Sequence, residues 1–228
     1  MERSPEDQGS RTRRLRERYG LLLAAIVVTF AVQGIAKPSA AEQIIVCVLL
    51  GVTLLMALWA TDTRRRVVLP AALFVAAAVI ASVVQAIDGA VDPVPSRAVD
   101  ALLVALAPPA IVMGVVRDLR ARETVTVQAV LGVLCVYLLI GMFFAFIYAT
   151  LGRVGQAPFF AGAQQPTVSS CLYFSFTTLS TVGYGDLTAR SNLGHTLSVF
   201  EALLGQIYLV TVVSVLVANL RRVRRPPA

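Results

Sequence analysis

The run Thr181-Val182-Gly183-Tyr184-Gly185-Asp186 has the residue types and spacing to hold a dehydrated cation with main-chain atoms alone. An ion that leaves water must be offered replacement oxygens at similar distances. A chain supplies one carbonyl per residue, but the carbonyls have to be aimed the same way. Glycines at the alternate positions 183 and 185 permit backbone angles that a side chain would forbid. Carbonyls of Thr181, Val182, Gly183 and Tyr184, with the Thr181 hydroxyl, would then form one column. The carboxylate of Asp186, at the end of that column, would raise the local cation concentration. No other chemistry competes with this reading. A single histidine, no metal-ligand spacing and no nucleophile motif argue against an enzyme, and no catalytic residues or cofactor are expected.

The elements around this run are those of a membrane protein. The 228 residues are 57% hydrophobic and only 14% charged, too apolar for an ordinary soluble domain. Six segments reach the roughly 17–25 apolar residues that a span requires: Tyr19–Ala36, Ile44–Ala60, Val67–Ile87, Ala98–Val116, Thr124–Leu151 and Leu193–Leu220. A shorter apolar stretch, Val168–Ser180, fits a re-entrant helix just before the cation-binding run. Ser169 and Ser170 are its expected capping residues, and its C-terminal end, partly negative, would face the ion path.

Charge placement fixes the orientation. All but Lys37, Arg97, Arg153 and Arg190 of the 20 basic residues fall in segments that share one side if the N-terminus is cytoplasmic. This positive-inside pattern puts both termini in the cytoplasm and the chain in the plasma (inner) membrane. It also accounts for the net charge of +7 without nucleic acid, which is not expected as a partner. Arg221, Arg222, Arg224 and Arg225 are placed to meet anionic lipid heads. A signal peptide ending near Ala40 is a competing reading of Leu21–Ala41, but the uncleaved six-span arrangement satisfies every loop. Cys47, Cys135 and Cys171 lack pair spacing and read as small apolar residues.

The expected fold is therefore an all-α membrane protein with six transmembrane helices. A re-entrant pore helix and a filter lie between helices 5 and 6. Residues 1–18 form a basic, disordered tail, residues 19–116 a four-helix unit, 117–122 an inner linker, 123–221 the pore unit and 222–228 a second basic tail. Within the pore unit, residues 168–180 are the pore helix, 181–186 the filter and 193–220 the inner helix. Pro108-Pro109 should kink the fourth span.

The segment Thr177-Thr178-Leu179-Ser180-Thr181-Val182-Gly183-Tyr184-Gly185-Asp186-Leu187 resembles the pore domain of potassium channels, in the prokaryotic branch with one pore loop between two helices. The TVGYG loop is itself the standard example of a potassium filter, so the assignment is a recognition. The resemblance covers about residues 123–221. It implies K+ coordination by Thr181, Val182, Gly183 and Tyr184, with Gly185, Asp186, Thr177 and Thr178 in support. With one motif per chain, fourfold filter symmetry implies a homotetramer. Gly205 falls where family members often carry an inner-helix hinge, the alternative being close helix packing. Gln206 is read either as cavity-facing or as an inter-helix hydrogen bond.

Departures from the family are also visible. Some relatives have a glutamate at the position of Thr177, and others tryptophans at Tyr173 and Phe174; neither device is present. Tyr173 is the expected replacement partner of Asp186, and Thr178 the expected partner of the Tyr184 hydroxyl. Glu201, inside the last span, is read as a structural group behind the filter, with a proton-sensitive gate as the alternative. His195 is read as an interfacial residue. The fourth span has Arg97 before its outer end and no further basic residue until Arg117, so the first four helices have a voltage-sensor layout without gating charges. The leading reading is a potassium channel. Its alternatives are a non-selective cation channel and a non-conducting subunit. A secondary transporter would need repeats and broken helices.

Overall fold

The computed structural model describes residues 5–35, 39–61, 65–88, 99, 102–106, 111–112, 127–154, 158–162 and 165–223. Its helices are α1 Pro5–Ile35, α2 Ala40–Ala60, α3 Arg65–Asp88, α4 Val127–Val154, α5 Val168–Leu179 and α6 Asn192–Val223. Among the described residues four helical stretches are long and apolar enough to cross a membrane: Glu17–Ile35, Gln43–Ala60, Val130–Val154 and Asn192–Val212. The apolar part of α3, Val68–Val84, is shorter. Most of the expected fourth span lies outside the described residues, including Pro108 and Pro109, as do the linker 117–122 and Arg224 and Arg225. Helical residues at 102–106 and 111–112 mark part of that span.

One expectation is corrected at the N-terminus. Residues 5–18 are not an irregular tail but the first turns of α1. Pro5 stands at the first helical position, where a missing N–H costs nothing.

The first two helices form an antiparallel pair whose shared face is apolar. Tyr19, Leu22, Ile26, Thr29 and Gln33 are buried along α1, at the three- and four-residue spacing of one helical face. Hydroxyls on these helices are satisfied within their own turns, as apolar surroundings require. Thr29 Oγ1 donates to the Ala25 carbonyl at 2.8 Å and Thr53 Oγ1 to Leu49 at 2.8 Å. The Arg18 guanidinium lies 4.2 Å from the Trp59 ring centroid, a cation–π contact that joins α1 to the end of α2. On its other side α2 packs against α3.

Helix α1 does not stop at α2. It also packs along α4 and reaches α5. Phe30 meets Phe176 of α5 edge-to-face at 4.9 Å, and Ser169 Oγ donates to the Gly34 carbonyl at 3.0 Å. The first helix is thus built into the same core as the last three.

Candidate functional site

Helix α5 is held from both ends. Its N-cap is Thr167, in extended conformation, whose hydroxyl accepts from Ser170 N–H at 3.1 Å. The cap is therefore one position before the helix and not the expected Ser169 or Ser170. Thr167 has the required non-helical backbone, whereas both serines are already helical. Ser170 Oγ instead donates back to the Thr167 carbonyl at 3.0 Å. An aromatic cluster wedges the middle of the helix. Phe174 meets Tyr148, Phe159 and Phe160 at centroid distances of 5.2, 5.9 and 5.5 Å. The chain before α5 is in turn pinned to the chain after residues 181–186, through an antiparallel bridge between Phe160 and Ala189.

At its C-terminus α5 ends at Ser180, and the backbone changes hand. Thr181, Gly183 and Gly185 have φ of +58°, +52° and +79°, while the residues between them do not enter the left-handed region. This alternation matters for direction. In a uniform extended chain successive carbonyls point to opposite sides; alternating the sign of φ turns them toward one side. The glycines pay little for this. Thr181 is the costly member, since a β-branched residue disfavours positive φ, and it is fastened from two directions. Its N–H donates to the Thr178 carbonyl at 2.9 Å, and its hydroxyl accepts from Gln206 Nε2 at 3.0 Å. Gly183 N–H donates to the Thr177 carbonyl at 3.1 Å. The whole run 181–186 is exposed in the single chain.

The mouth of the run is braced by α5. The Tyr173 and Tyr184 rings stack at 6.1 Å with planes 5° apart, and the Asp186 carboxyl lies near enough to act on the Tyr173 hydroxyl. The expected Tyr184–Thr178 contact is not among the described hydrogen bonds. Thr178 contributes its carbonyl to Thr181, and Thr177 its hydroxyl to the Phe174 carbonyl at 3.0 Å. His195 Nε2 lies 2.6 Å from the Ala189 carbonyl, which ties the start of α6 to the loop after the run.

Behind the run, α6 touches α5 through special residues. Gly205 sits under the end of α5: a Cβ there would collide with the Leu179 carbonyl and lie 2.9 Å from Leu179 Cδ1. Close packing is thus what this glycine provides. Glu201 is fully buried. Its Oε2 accepts from the Tyr148 hydroxyl of α4 at 2.7 Å, and its Oε1 meets Ser175 Oγ of α5. Tyr148 was not singled out in the sequence, although a tyrosine in an apolar span needs a partner for its hydroxyl. The Gln206 bond to Thr181 was not foreseen: the sequence offered a cavity-facing amide or an inter-helix bond, and Thr181 lies beyond the end of α5. Of Arg221 and Arg222 only the helical backbone is described. No group of metal-ligating side chains occurs among the described residues.

Residues 132–222 match the model of a protein family described as an ion channel. No curated protein matches the chain, and no solved structure does. The matched segment runs from α4 through residues 181–186 to the last turns of α6. That part of the chain is similar to an ion-channel domain, and with the apolar helices the match supports an integral membrane protein.

Proposed function

We propose that this chain conducts K+ passively, as one of four copies around a central axis. The observation that carries the reading is the alternating backbone of 181–186. A row of carbonyls facing one way is useful to an ion only if other walls face it, and one chain supplies one wall. Val182 and Tyr184, 54% and 71% exposed in the single chain, would be covered by neighbouring copies. Thr181, Val182, Gly183 and Tyr184 would contribute the ion-facing oxygens, and the Thr181 hydroxyl, held by Gln206, would close the inner end of the column. Asp186, braced by Tyr173, would set the negative potential at the outer mouth. The C-terminal end of α5 would add a favourable partial charge on the ion path.

In this reading Gly205 is first a close-approach residue and only secondarily a hinge. Strong voltage dependence is not expected, because the fourth span lacks a series of arginines. Both termini would be cytoplasmic in the inner membrane, with Arg221, Arg222, Arg224 and Arg225 facing anionic lipid.

The test is K+ and Na+ flux from purified protein in liposomes, with Gly183→Ala as control. At φ +52° an alanine is strained and turns the carbonyl row. K+ flux without Na+ flux, lost in the variant, supports the proposal. Equal fluxes of both ions would replace it with a non-selective cation channel.

A further inference from the structure

Glu201 lies off the ion path, and the function proposed above does not use its carboxyl chemistry. It is buried without exposure, as are Ser175 and Tyr148. Three short contacts run in series between three helices. The Tyr148 hydroxyl donates to Glu201 Oε2. Glu201 Oε1 meets Ser175 Oγ. The same Ser175 oxygen is 2.7 Å from the Gly141 carbonyl of α4.

The hydrogens in this series can be counted. Each short oxygen–oxygen contact needs a proton between its members. A carbonyl has none to give, and a serine hydroxyl has one. If Ser175 gave that proton to Glu201, its lone pairs would face those of the Gly141 carbonyl at 2.7 Å with nothing between them. If Ser175 gives it to Gly141, the contact with Glu201 needs a second proton, and only the carboxyl group can supply it. The charge balance leads the same way. The groups acting on Glu201 are Ser175 and Tyr148, with no basic side chain among the described residues. The titratable groups facing this cluster are Tyr148 and Tyr137 of α4 and Cys171 of α5, all neutral in their ordinary form at pH 7. A buried carboxylate without a cation carries a desolvation cost of several kcal/mol; a neutral acid does not.

We infer that Glu201 is a protonated carboxylic acid that donates to Ser175 Oγ, and that the row Tyr148→Glu201→Ser175→Gly141 is a proton-ordered clasp positioning α5 behind the filter. Glu201 is a positioning residue, acting on the ion path through Ser175 and α5. Loss of its proton as pH rises removes the donor to Ser175 and opens the clasp. Only the meaning of the clasp for conduction rests on the K+ reading; the protonation state stands apart from it.

The experiment is infrared spectroscopy of the full chain in lipid vesicles at neutral pH, comparing wild type with Glu201→Gln and Ser175→Ala. The carbonyl stretch of a protonated carboxylic acid is expected in the wild type. It should be absent in Glu201→Gln and shifted in frequency in Ser175→Ala. A second measurement guards against a misfolded variant. Glu201→Gln, whose amide donates to Ser175 and whose carbonyl accepts from Tyr148, should keep the wild-type thermal midpoint, while Glu201→Ala lowers it. Absence of the band, a band indifferent to Ser175→Ala, or Gln as damaging as Ala each overturns the inference. Neither readout uses ion flux, so a protein with the band but without K+ selectivity retains the clasp and loses the K+ assignment.

Discussion

Helices α4 and α6 both pack against α5, yet the single chain treats them differently. Half of the apolar window of α4 is buried inside the chain, against 11% of that of α6. The buried residues of α6 include Gly194, Glu201 and Gly205, which share one narrow face, each doing a specific job at α5 or the loop before it. Phe200, Leu203, Ile207 and Val210, by contrast, are exposed. So much uncovered apolar surface is what lipid or further copies of the chain must cover. The lesson is that α4 is a core helix of one subunit, whereas α6 is a seam on one side and an assembly or lipid surface on the others.

The sharpest way to break this contrast is to charge both helices. Leu134→Arg on α4 and Ile207→Arg on α6 alter residues that are exposed in the single chain, and each carries an insertion cost of about 2.5–3.5 kcal/mol at a helix centre. Under the proposed fourfold assembly, only the α6 variant should lose the oligomer, as read by size-exclusion chromatography in detergent. Equal losses would mean that α6 is not an assembly surface. Next in size is Gly205→Ala, whose methyl group must displace the end of α5, at a cost of about 1–3 kcal/mol. Gly20→Ala on α1, with open space around it, should change stability by no more than about 0.5 kcal/mol. Thermal denaturation of the two variants compares them directly, and a harmless Gly205→Ala would sink the close-approach argument.

A smaller effect is expected at Tyr208, which joins α6 to α4 apart from the Tyr148–Glu201 bond. Its hydroxyl donates to the Val133 carbonyl at 2.6 Å and its ring stacks on Tyr137 at 5.9 Å. Tyr208→Phe keeps the stack and removes the bond, at about 0.6 kcal/mol for a polar contact between membrane helices. A loss of several times that would show the seam to be wider than described. Smallest in stability is Tyr173→Phe, because the ring contact with Tyr184 survives. Under the proposed K+ reading its readout is functional: inactivation under a steady K+ gradient should accelerate once the hydroxyl beside Asp186 is removed, and unchanged inactivation and selectivity would leave that hydroxyl without a role.

How far these features could be read from residue order depends on their reach along the chain. The need for φ above zero at Gly183 and Gly185 was legible, because glycine is the residue that meets it without strain. The same conformation at Thr181 was not, since a threonine gives no such signal and adopts it only where Thr178 and Gln206 hold it. The cap of α5 was misplaced by two or three residues, within the usual uncertainty of helix ends, because three neighbouring hydroxyl residues were all eligible.

The apolar runs, the arginine asymmetry and the glycine spacing are properties of the chain read locally, so the sequence by itself determined the membrane setting and the positive φ at Gly183 and Gly185. Which residues meet across the bundle was decided only when the helices packed. Tyr148 reaches Glu201 over 53 positions, Gly205 lies beneath Leu179, and α1 joins the pore helices through Phe30 and Ser169. Helical periodicity tells which face of each segment is apolar. It does not tell how two faces are rotated and offset against each other, and that relation is what brings a buried carboxyl group to its donor and its acceptor.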